Sequence, residues 1–177
     1  MSIEQVYDQH VDFVWRNLRR LGVPADAVED AVQEVFLVVH RRLHEFEGRS
    51  QLRTWLFQIV LRVASDQRRT VRRKSAHARA EGAVVEADSV ADDAIPGPDE
   101  RLLQVEGARV LHELLDELDD DRRAVLVLAE LEQMSGPEIA ESLGLNLNTA
   151  YARLRAARRD FEQAVARFQA RDTWRIR

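Results

Sequence analysis

The chain has 177 residues, a net charge of −5, 45% hydrophobic residues and no cysteine. This length suits one medium domain or two small ones, and the missing cysteines exclude disulfides, thiolate zinc sites and thiol nucleophiles. Residues 1–20 show no secretory signal, and the longest apolar runs fall far short of the ~18 residues that a membrane span needs. We therefore expect a cytoplasmic protein without membrane insertion.

The first part of the chain has the hydrophobic period of helices. Residues 4–21 carry an apolar residue every three or four positions, which predicts a helix that Gly22 ends. A second, valine-rich helix is predicted to end at Gly48. Ser50 can cap a third helix, which runs into a cluster of arginines.

Residues 75–98 interrupt this period. They are rich in Ala, Asp and Glu and end in two prolines that flank a glycine. The helical pattern resumes at Asp99, and Asp119 to Asp121 can cap a further helix. The expected fold class is therefore all-α, with two small helical domains joined by a flexible acidic linker. The predicted boundaries are residues 1–74, linker 75–98, residues 99–170 and an unassigned tail, 171–177.

The charge alternates along the chain in blocks. Two blocks are basic, with net charges of +8 for residues 49–79 and +5 for residues 145–177, whereas residues 1–48 are net −4 and residues 80–144 are net −14. Basic blocks attract phosphate chains, so the pattern indicates two nucleic-acid contacts and a basic partner elsewhere. Charge runs are often only solvated faces, and charge alone leaves both interpretations open.

Residues 135–154 have the pattern of a helix-turn-helix. Ser135 and Glu138 have capping-box spacing, Gly144 can adopt the left-handed conformation that ends a helix, and Asn146 or Asn148 can cap the next one. The second helix is expected to bury Leu147, Ala150, Leu154, Ala157 and Phe161. Its outward residues are then Asn148, Thr149, Ala152, Arg155 and Arg159. Small or polar residues followed by arginines suit a DNA-recognition helix, and the alternative is an ordinary helical hairpin.

Four segments resemble one protein family, the extracytoplasmic-function (ECF) sigma factors. Residues 30–36 (DAVQEVF) are similar to the family's DLVQEVF segment, and residues 46–56 (FEGRSQLRTWL) to its F-x-G-x-S-x-x-x-T-W-L segment. Residues 135–140 are similar to S-x-x-E-I-A, and residues 148–154 to G-T-V-K-S-R-L. Their order along the chain, across about residues 5–165, makes the resemblance specific. It implies a bacterial initiation factor that binds core RNA polymerase and promoter DNA.

The resemblance implies roles for residues of the first domain. Gln33 and Glu34, with Asp30 one turn earlier, match the helix that docks on the polymerase clamp. Residues 46–53 match the loop that captures an unstacked base of the minus-10 element. The residues of the first domain that are expected to contact minus-10 DNA are Arg49, Ser50, Arg53 and Arg62. Arg62 replaces a common asparagine, and Trp55 is expected to be a core residue.

In the second domain the resemblance implies a minus-35 surface and an apolar groove for the polymerase flap. The expected minus-35 residues are Asn148, Thr149, Tyr151, Ala152, Arg153, Arg155, Arg158 and Arg159. This chain departs from the family at four positions, where Tyr151 and Ala156 replace basic residues and Asn148 and Gln133 replace glycines. The family's base contacts therefore do not transfer residue by residue.

Other functions have less support. His40 and His44 lie one helical turn apart but have no third ligand, and no phosphate-binding loop or nucleophile elbow occurs, so no metal, cofactor or catalysis is expected. One alternative is a regulator that binds an operator without polymerase, which would leave residues 25–74 unexplained. Another is an enzyme or scaffold in which the helices only pack. An anti-sigma factor is a possible further partner.

Overall fold

The computed structural model describes the backbone of residues 2–48, 50–80 and 98–175, and side chains within residues 2–48, 50–73 and 105–171. The chain divides into two compact units, Met1–Ser89 and Val90–Arg177. All regular structure in the described ranges is helical, as the sequence predicts. The helices are α1 (Ile3–Arg20), α2 (Val28–Arg42), α3 (Leu52–Ala80), α4 (Pro98–Asp116), α5 (Asp120–Leu126), α6 (Gly136–Leu143) and α7 (Leu147–Arg175).

The first unit is a bundle in which α1, α2 and α3 pack against one another. Ser2 and Gln5 form a capping box at the start of α1, and Gly22 follows its end with a positive φ of 87°. The apolar stripes of the three helices meet in a core that contains Val14, Val35 and Phe57. The prediction that Gly22 ends the first helix is confirmed.

The second helix ends earlier than predicted. α2 stops at Arg42, a 3-10 turn covers Leu43–Glu45, and the backbone at Phe46 is extended. The Phe46 ring instead packs against Trp55 of α3, with 5.5 Å between ring centroids and an angle of 47° between the ring planes. This aromatic contact draws the chain off the helix axis before Gly48, where φ is +69°. The expected helical continuation to Gly48 is therefore wrong. Trp55 is half-buried in this contact, at the edge of the core.

The second unit joins four helices. Asp119 caps α5 by accepting a hydrogen bond from the backbone N–H of Arg122 at 2.8 Å. The side chain of Arg123 is only 3% exposed, donates to the carbonyl of Leu115 at 2.8 Å and pairs with Asp116 at 2.8 Å. Because these partners lie at the C-terminal end of α4, the buried guanidinium donates hydrogen bonds to the last turn of that helix and connects α5 to it.

A wider helical turn follows α5. Residues Val127–Leu131 form a π-helix, in which the backbone N–H of Glu132 donates to the carbonyl of Val127 at 3.0 Å. Gln133 comes next with φ of 54°, a left-handed conformation that glycine adopts more easily. This is the position at which the family usually has glycine. The structure therefore keeps the glycine-type turn although the residue has changed.

The helix-turn-helix forms as predicted. Ser135 and Glu138 make a capping box, Gly144 ends α6 with φ of 62°, and Asn146 accepts from the backbone N–H of Thr149 at 2.8 Å. Ala150, Leu154 and Ala157 of α7 are buried as expected, and Phe161 is half-buried. The expected burial of Leu147 is wrong. This residue is 41% exposed because it opens the helix, one turn ahead of the first buried position.

The predicted linker lies largely outside the described residues. The backbone of α3 continues to Ala80, and α4 begins at Pro98. Residues 81–97, which carry most of the acidic linker, belong to the part of the chain that the structure does not describe, as do Arg49 and the last two residues of the tail.

Candidate nucleic-acid interface

The outermost face of α7 carries four residues of the predicted minus-35 surface. Asn148, Ala152, Arg155 and Arg159 are all exposed, and they lie opposite the buried residues Ala150, Leu154 and Ala157. Within the described ranges neither Arg155 nor Arg159 has an ion pair. The two guanidinium groups lie four residues apart, so they occupy the same side of the helix and are available to a ligand.

Two further arginines of α7 are engaged with carboxylates of the same unit. On one flank Arg153, whose side chain is 26% exposed, pairs with Asp121 of α5 at 3.1 Å, and Asp160 pairs with Arg122. On the other flank Arg158 pairs with Glu130 at 2.7 Å. These ion pairs connect α7 to α5 and to the π-turn on both sides of the outward face. They orient the helix that carries the outward face.

Tyr151 lies on the same flank as Arg158. A Cβ atom placed on Gly136 would lie 2.5 Å from Cζ and 2.8 Å from Cε1 of the Tyr151 ring, and closer still to its phenolic oxygen. The ring therefore packs directly against the backbone of the first residue of α6. It nevertheless remains 43% exposed. Thr149, by contrast, is half-buried at the start of α7, and its backbone N–H is used by the Asn146 cap.

In the first unit, exposed arginines follow one side of α3. Arg62, Arg69 and Arg73 are separated by seven and four residues, which places them along one stripe of the helix. None of the three has an ion pair among the residues whose side chains are described. Of these, only Arg62 was among the predicted minus-10 residues. The sequence signal for the other two was present in the arginine cluster, and the seven-residue spacing would have selected them.

Arg53, another predicted minus-10 residue, is half-buried against α1. Its guanidinium lies 4.8 Å from the centroid of the Phe13 ring, and that of Arg16 lies 5.4 Å from the same ring. Burial lowers the pKa of the adjacent His10, and the positive charge of Arg53 lowers it further. Ser50 is also half-buried, just before α3, and Arg49 lies outside the described residues.

The predicted polymerase-docking face lies on α2. Asp30 and Gln33 are exposed, whereas Glu34 is half-buried and accepts a hydrogen bond from the side chain of Gln67 at 3.1 Å. Leu37, one turn beyond Gln33, is 56% exposed. The sequence interpretation did not include this residue among those of the docking face, which were chosen for their polar side chains. Its exposure adds an apolar contact point to an otherwise polar face.

The described residues offer neither a candidate metal site nor a candidate membrane span. They contain no group of three or more His, Asp or Glu side chains that could hold a metal ion. None of the helices as described is both long enough and apolar enough to cross a membrane.

Comparison with known families assigns both units. The model for Sigma-70 region 2 matches residues 6–74, and the model for Sigma-70 region 4 matches residues 108–161. Among relatives, the RNA polymerase sigma factor CnrH of Cupriavidus metallidurans is 36% identical over 79% of this chain and 74% of its own length. The ECF RNA polymerase sigma factor SigX of Bacillus subtilis is 31% identical over 80% of this chain and 72% of its own length.

Two solved structures share the fold. The sigma factor RpoE of Bartonella quintana, in complex with the anti-sigma factor NepR, has a TM-score of 0.71 and 20% identity over 92% of this chain and 96% of its own. CnrH in complex with the cytosolic domain of CnrY has a TM-score of 0.66 and 24% identity over 93% of this chain and 87% of its own. The region 2 and region 4 matches and the sequence relatives together establish that this chain belongs to the ECF sigma factors, transcription initiation factors rather than enzymes, which bind RNA polymerase and recognise promoters.

Proposed function

We propose that this sigma factor places its two basic surfaces on the two elements of one promoter. The observation that carries the minus-35 assignment is the contrast within α7. Arg153 and Arg158 are paired with carboxylates, whereas Arg155 and Arg159 project from the outermost face without an ion pair among described residues. Free guanidinium groups on a recognition helix suit phosphate oxygens or the acceptor edge of guanine.

The minus-35 surface in this proposal consists of a central face and two flanks. Asn148, Ala152, Arg155 and Arg159 form the centre. Thr149 and Arg153 lie on one flank, and Tyr151 and Arg158 on the other. To contact phosphate, Arg153 would have to leave its ion pair with Asp121, and Arg158 its ion pair with Glu130. We therefore expect these two arginines to contribute less to DNA-binding affinity than the central arginines do.

The proposed minus-10 surface lies on the first unit. Ser50 lies just before α3, Arg53 lies in its first turn, and Arg62 opens the arginine stripe that continues at Arg69 and Arg73 along the helix. Arg49, which lies outside the described residues, is included in the proposal from the sequence alone. Neutralisation of several phosphates by such a stripe would supply sequence-independent affinity. The contact between Phe46 and Trp55 positions the segment that precedes α3, where we propose that an unstacked base is captured.

Core polymerase is proposed to dock on the face of α2 formed by Asp30, Gln33, Glu34 and Leu37. The carboxylates suit a basic partner surface, and Leu37 offers the apolar centre that protein interfaces favour. We further propose that the second unit contacts the polymerase flap, that the acidic linker lies near the path of the RNA, and that the protein acts in the cytoplasm. An anti-sigma factor remains a proposed partner, by analogy with the solved RpoE complex.

The minus-35 assignment is tested with holoenzyme reconstituted from this chain and core polymerase. Binding to a promoter duplex is measured against salt concentration for Arg155→Ala and Arg159→Ala, with Arg167→Ala as the matched control. Arg167 lies on the same helix but pairs with Glu117, the residue that follows α4, away from the proposed surface. Loss of a phosphate contact lowers affinity on all sequences and reduces the salt slope by about one unit.

Loss of a base contact instead reduces discrimination at one base pair, typically by about 1–3 kcal/mol. If both variants bind like wild type and like Arg167→Ala, α7 does not enter the groove. An operator-binding regulator would bind the same duplex without core polymerase. That alternative is disfavoured because the region 2 match over residues 6–74 would then have no role.

A further inference from the structure

Apolar side chains are exposed on the recognition helix. Four large hydrophobic residues with described side chains are exposed, and two of them, Leu147 and Tyr151, lie one turn apart at the start of α7. Single exposed apolar side chains are common, whereas neighbouring ones that form one continuous surface mark contacts with a partner. Here it borders the two free arginines that we propose to contact the minus-35 duplex.

The central face of α7 has few groups that can hydrogen-bond a base. Arg153 and Arg158 are occupied by Asp121 and Glu130, and Ala152, at the centre of the face, offers only a methyl group. The remaining polar side chains of that face are Asn148, Arg155 and Arg159. A duplex seated on this helix would therefore meet apolar surface between its polar contacts.

The position of the Tyr151 ring is set by its packing. The ring lies against the backbone of Gly136, which has no side chain to displace it, and the start of α6 supports it from behind. A supported aromatic ring loses little conformational freedom on binding. Its exposed surface is therefore already in place for a contact.

Only one apolar group is displayed by base edges in the major groove, the C5-methyl of thymine. We infer that Tyr151, together with Ala152, is a specificity-determining residue that selects thymine in the minus-35 element by contact with this methyl group. The inference rests on the proposed function, because it requires α7 to lie in the major groove. It also accounts for the departure at position 151, where a tyrosine stands in place of a basic residue.

The experiment removes the methyl group and nothing else. A minus-35 sequence is first selected by the holoenzyme from promoter duplexes randomised at that element, and we expect thymine to be enriched. That duplex is then synthesised with deoxyuridine in place of thymidine at one position at a time. Deoxyuridine keeps every hydrogen-bonding group of thymidine. Burial of one methyl group corresponds to about a fourfold change in Kd, so wild type should bind about fourfold more weakly at one or two adjacent positions.

The variants assign the effect to the side chain. Tyr151→Ala and Tyr151→Lys should bind the thymidine and deoxyuridine duplexes equally, whereas Tyr151→Phe should keep the wild-type discrimination because the ring makes the contact. Two substitutions are used so that one folded variant is available, as judged by circular dichroism. Arg167→Ala is the control and should discriminate like wild type.

Three outcomes would overturn the inference. They are a selected element without thymine, equal wild-type binding to every deoxyuridine duplex, and discrimination that persists in both Tyr151→Ala and Tyr151→Lys. If Arg155→Ala or Arg159→Ala still weakens binding in those cases, α7 lies in the groove and only the methyl contact is wrong. If neither arginine matters, the proposed function has failed as well.

Discussion

The packing of Tyr151 on Gly136 predicts a specific double-mutant effect on stability. In Gly136→Ala the new Cβ would lie 2.5 Å and 2.8 Å from two ring carbons, distances that real Cβ atoms essentially never show. Overpacking of this kind typically costs ~1–3 kcal/mol. The 43% exposed ring can also swing into solvent, which forfeits its partial burial, worth about 2 kcal/mol. The protein will adopt whichever of these two responses costs less free energy. We therefore expect Gly136→Ala to lower the free energy of unfolding by about 1–2 kcal/mol.

The same substitution should be harmless once the ring is gone. In the Tyr151→Ala background, alanine at the first turn of α6 no longer meets the ring and has the better helix propensity, by up to about 1 kcal/mol. Urea unfolding of the four proteins, followed by circular dichroism, gives the coupling energy directly. We expect it to be about 1–3 kcal/mol. Equal effects of Gly136→Ala in both backgrounds would refute the packing argument, and with it the supported ring on which the thymine inference depends.

The remaining predictions concern backbone strain, ion pairs, pH and docking. Gln133→Gly relieves the strain of a left-handed backbone and should raise the free energy of unfolding by about 0.5–1 kcal/mol, whereas Gly144→Ala should lower it by about 1 kcal/mol. A lower free energy of unfolding in Gln133→Gly would mean that the hydrogen bond from the Gln133 side chain to the carbonyl of Glu130 outweighs the backbone strain. Arg153→Ala and Asp121→Ala should each cost less than ~1 kcal/mol in urea unfolding, with no further loss in the double variant, and Arg153→Ala should change the salt slope of DNA binding less than Arg155→Ala does. Burial and Arg53 lower the pKa of His10, so the unfolded chain binds a proton more readily than the folded protein does. The contribution of His10 to stability is therefore full above about pH 6.5 and falls as the pH drops below that value. His10→Gln should flatten this pH dependence in unfolding curves measured from about pH 7.5 to 5, and an unchanged dependence would contradict the prediction. Gln33→Ala combined with Glu34→Ala should weaken binding to core polymerase while Asp12→Ala, an exposed residue of α1, does not, and wild-type co-purification of the double variant would exclude the α2 face.

Features set by local chemistry were predictable from the sequence. The Ser135–Glu138 box, the left-handed Gly144 and the cap at α5 each depend on residues within a few positions of one another. The buried side of α7 followed from the helical period. The early end of α2 could not be predicted in this way, because it depends on a contact between Phe46 and Trp55, which belong to different elements.

The predicted minus-35 surface shows the same division between local and distant contacts. Eight residues were predicted for it from the sequence, but the sequence did not distinguish the paired arginines from the unpaired ones, because this depends on partners far along the chain. Arg153 meets Asp121 and Arg158 meets Glu130, across 32 and 28 positions respectively. Likewise the support of Tyr151 by Gly136 is a result of tertiary packing that no local pattern contains. The exposure of Leu37, by contrast, follows from the helical period, which places this residue opposite the buried stripe of α2.

The π-turn at Val127–Leu131 has a consequence for how the length of this protein can change. A turn of this kind holds more residues than an α-helical turn between the same neighbours, as the bond from Glu132 to Val127 illustrates. Deleting one residue there would leave a regular α-helical turn between the same neighbours, so α5 would keep its orientation. Deleting one residue from the α-helical turn between Arg123 and Val127 would instead rotate the start of α5 by about 100° about its axis, the angle between successive residues at 3.6 per turn. Asp121 and Arg122 would then face away from Arg153 and Asp160. A single-residue deletion should therefore be tolerated better in this short segment than in the α-helical turn that precedes it.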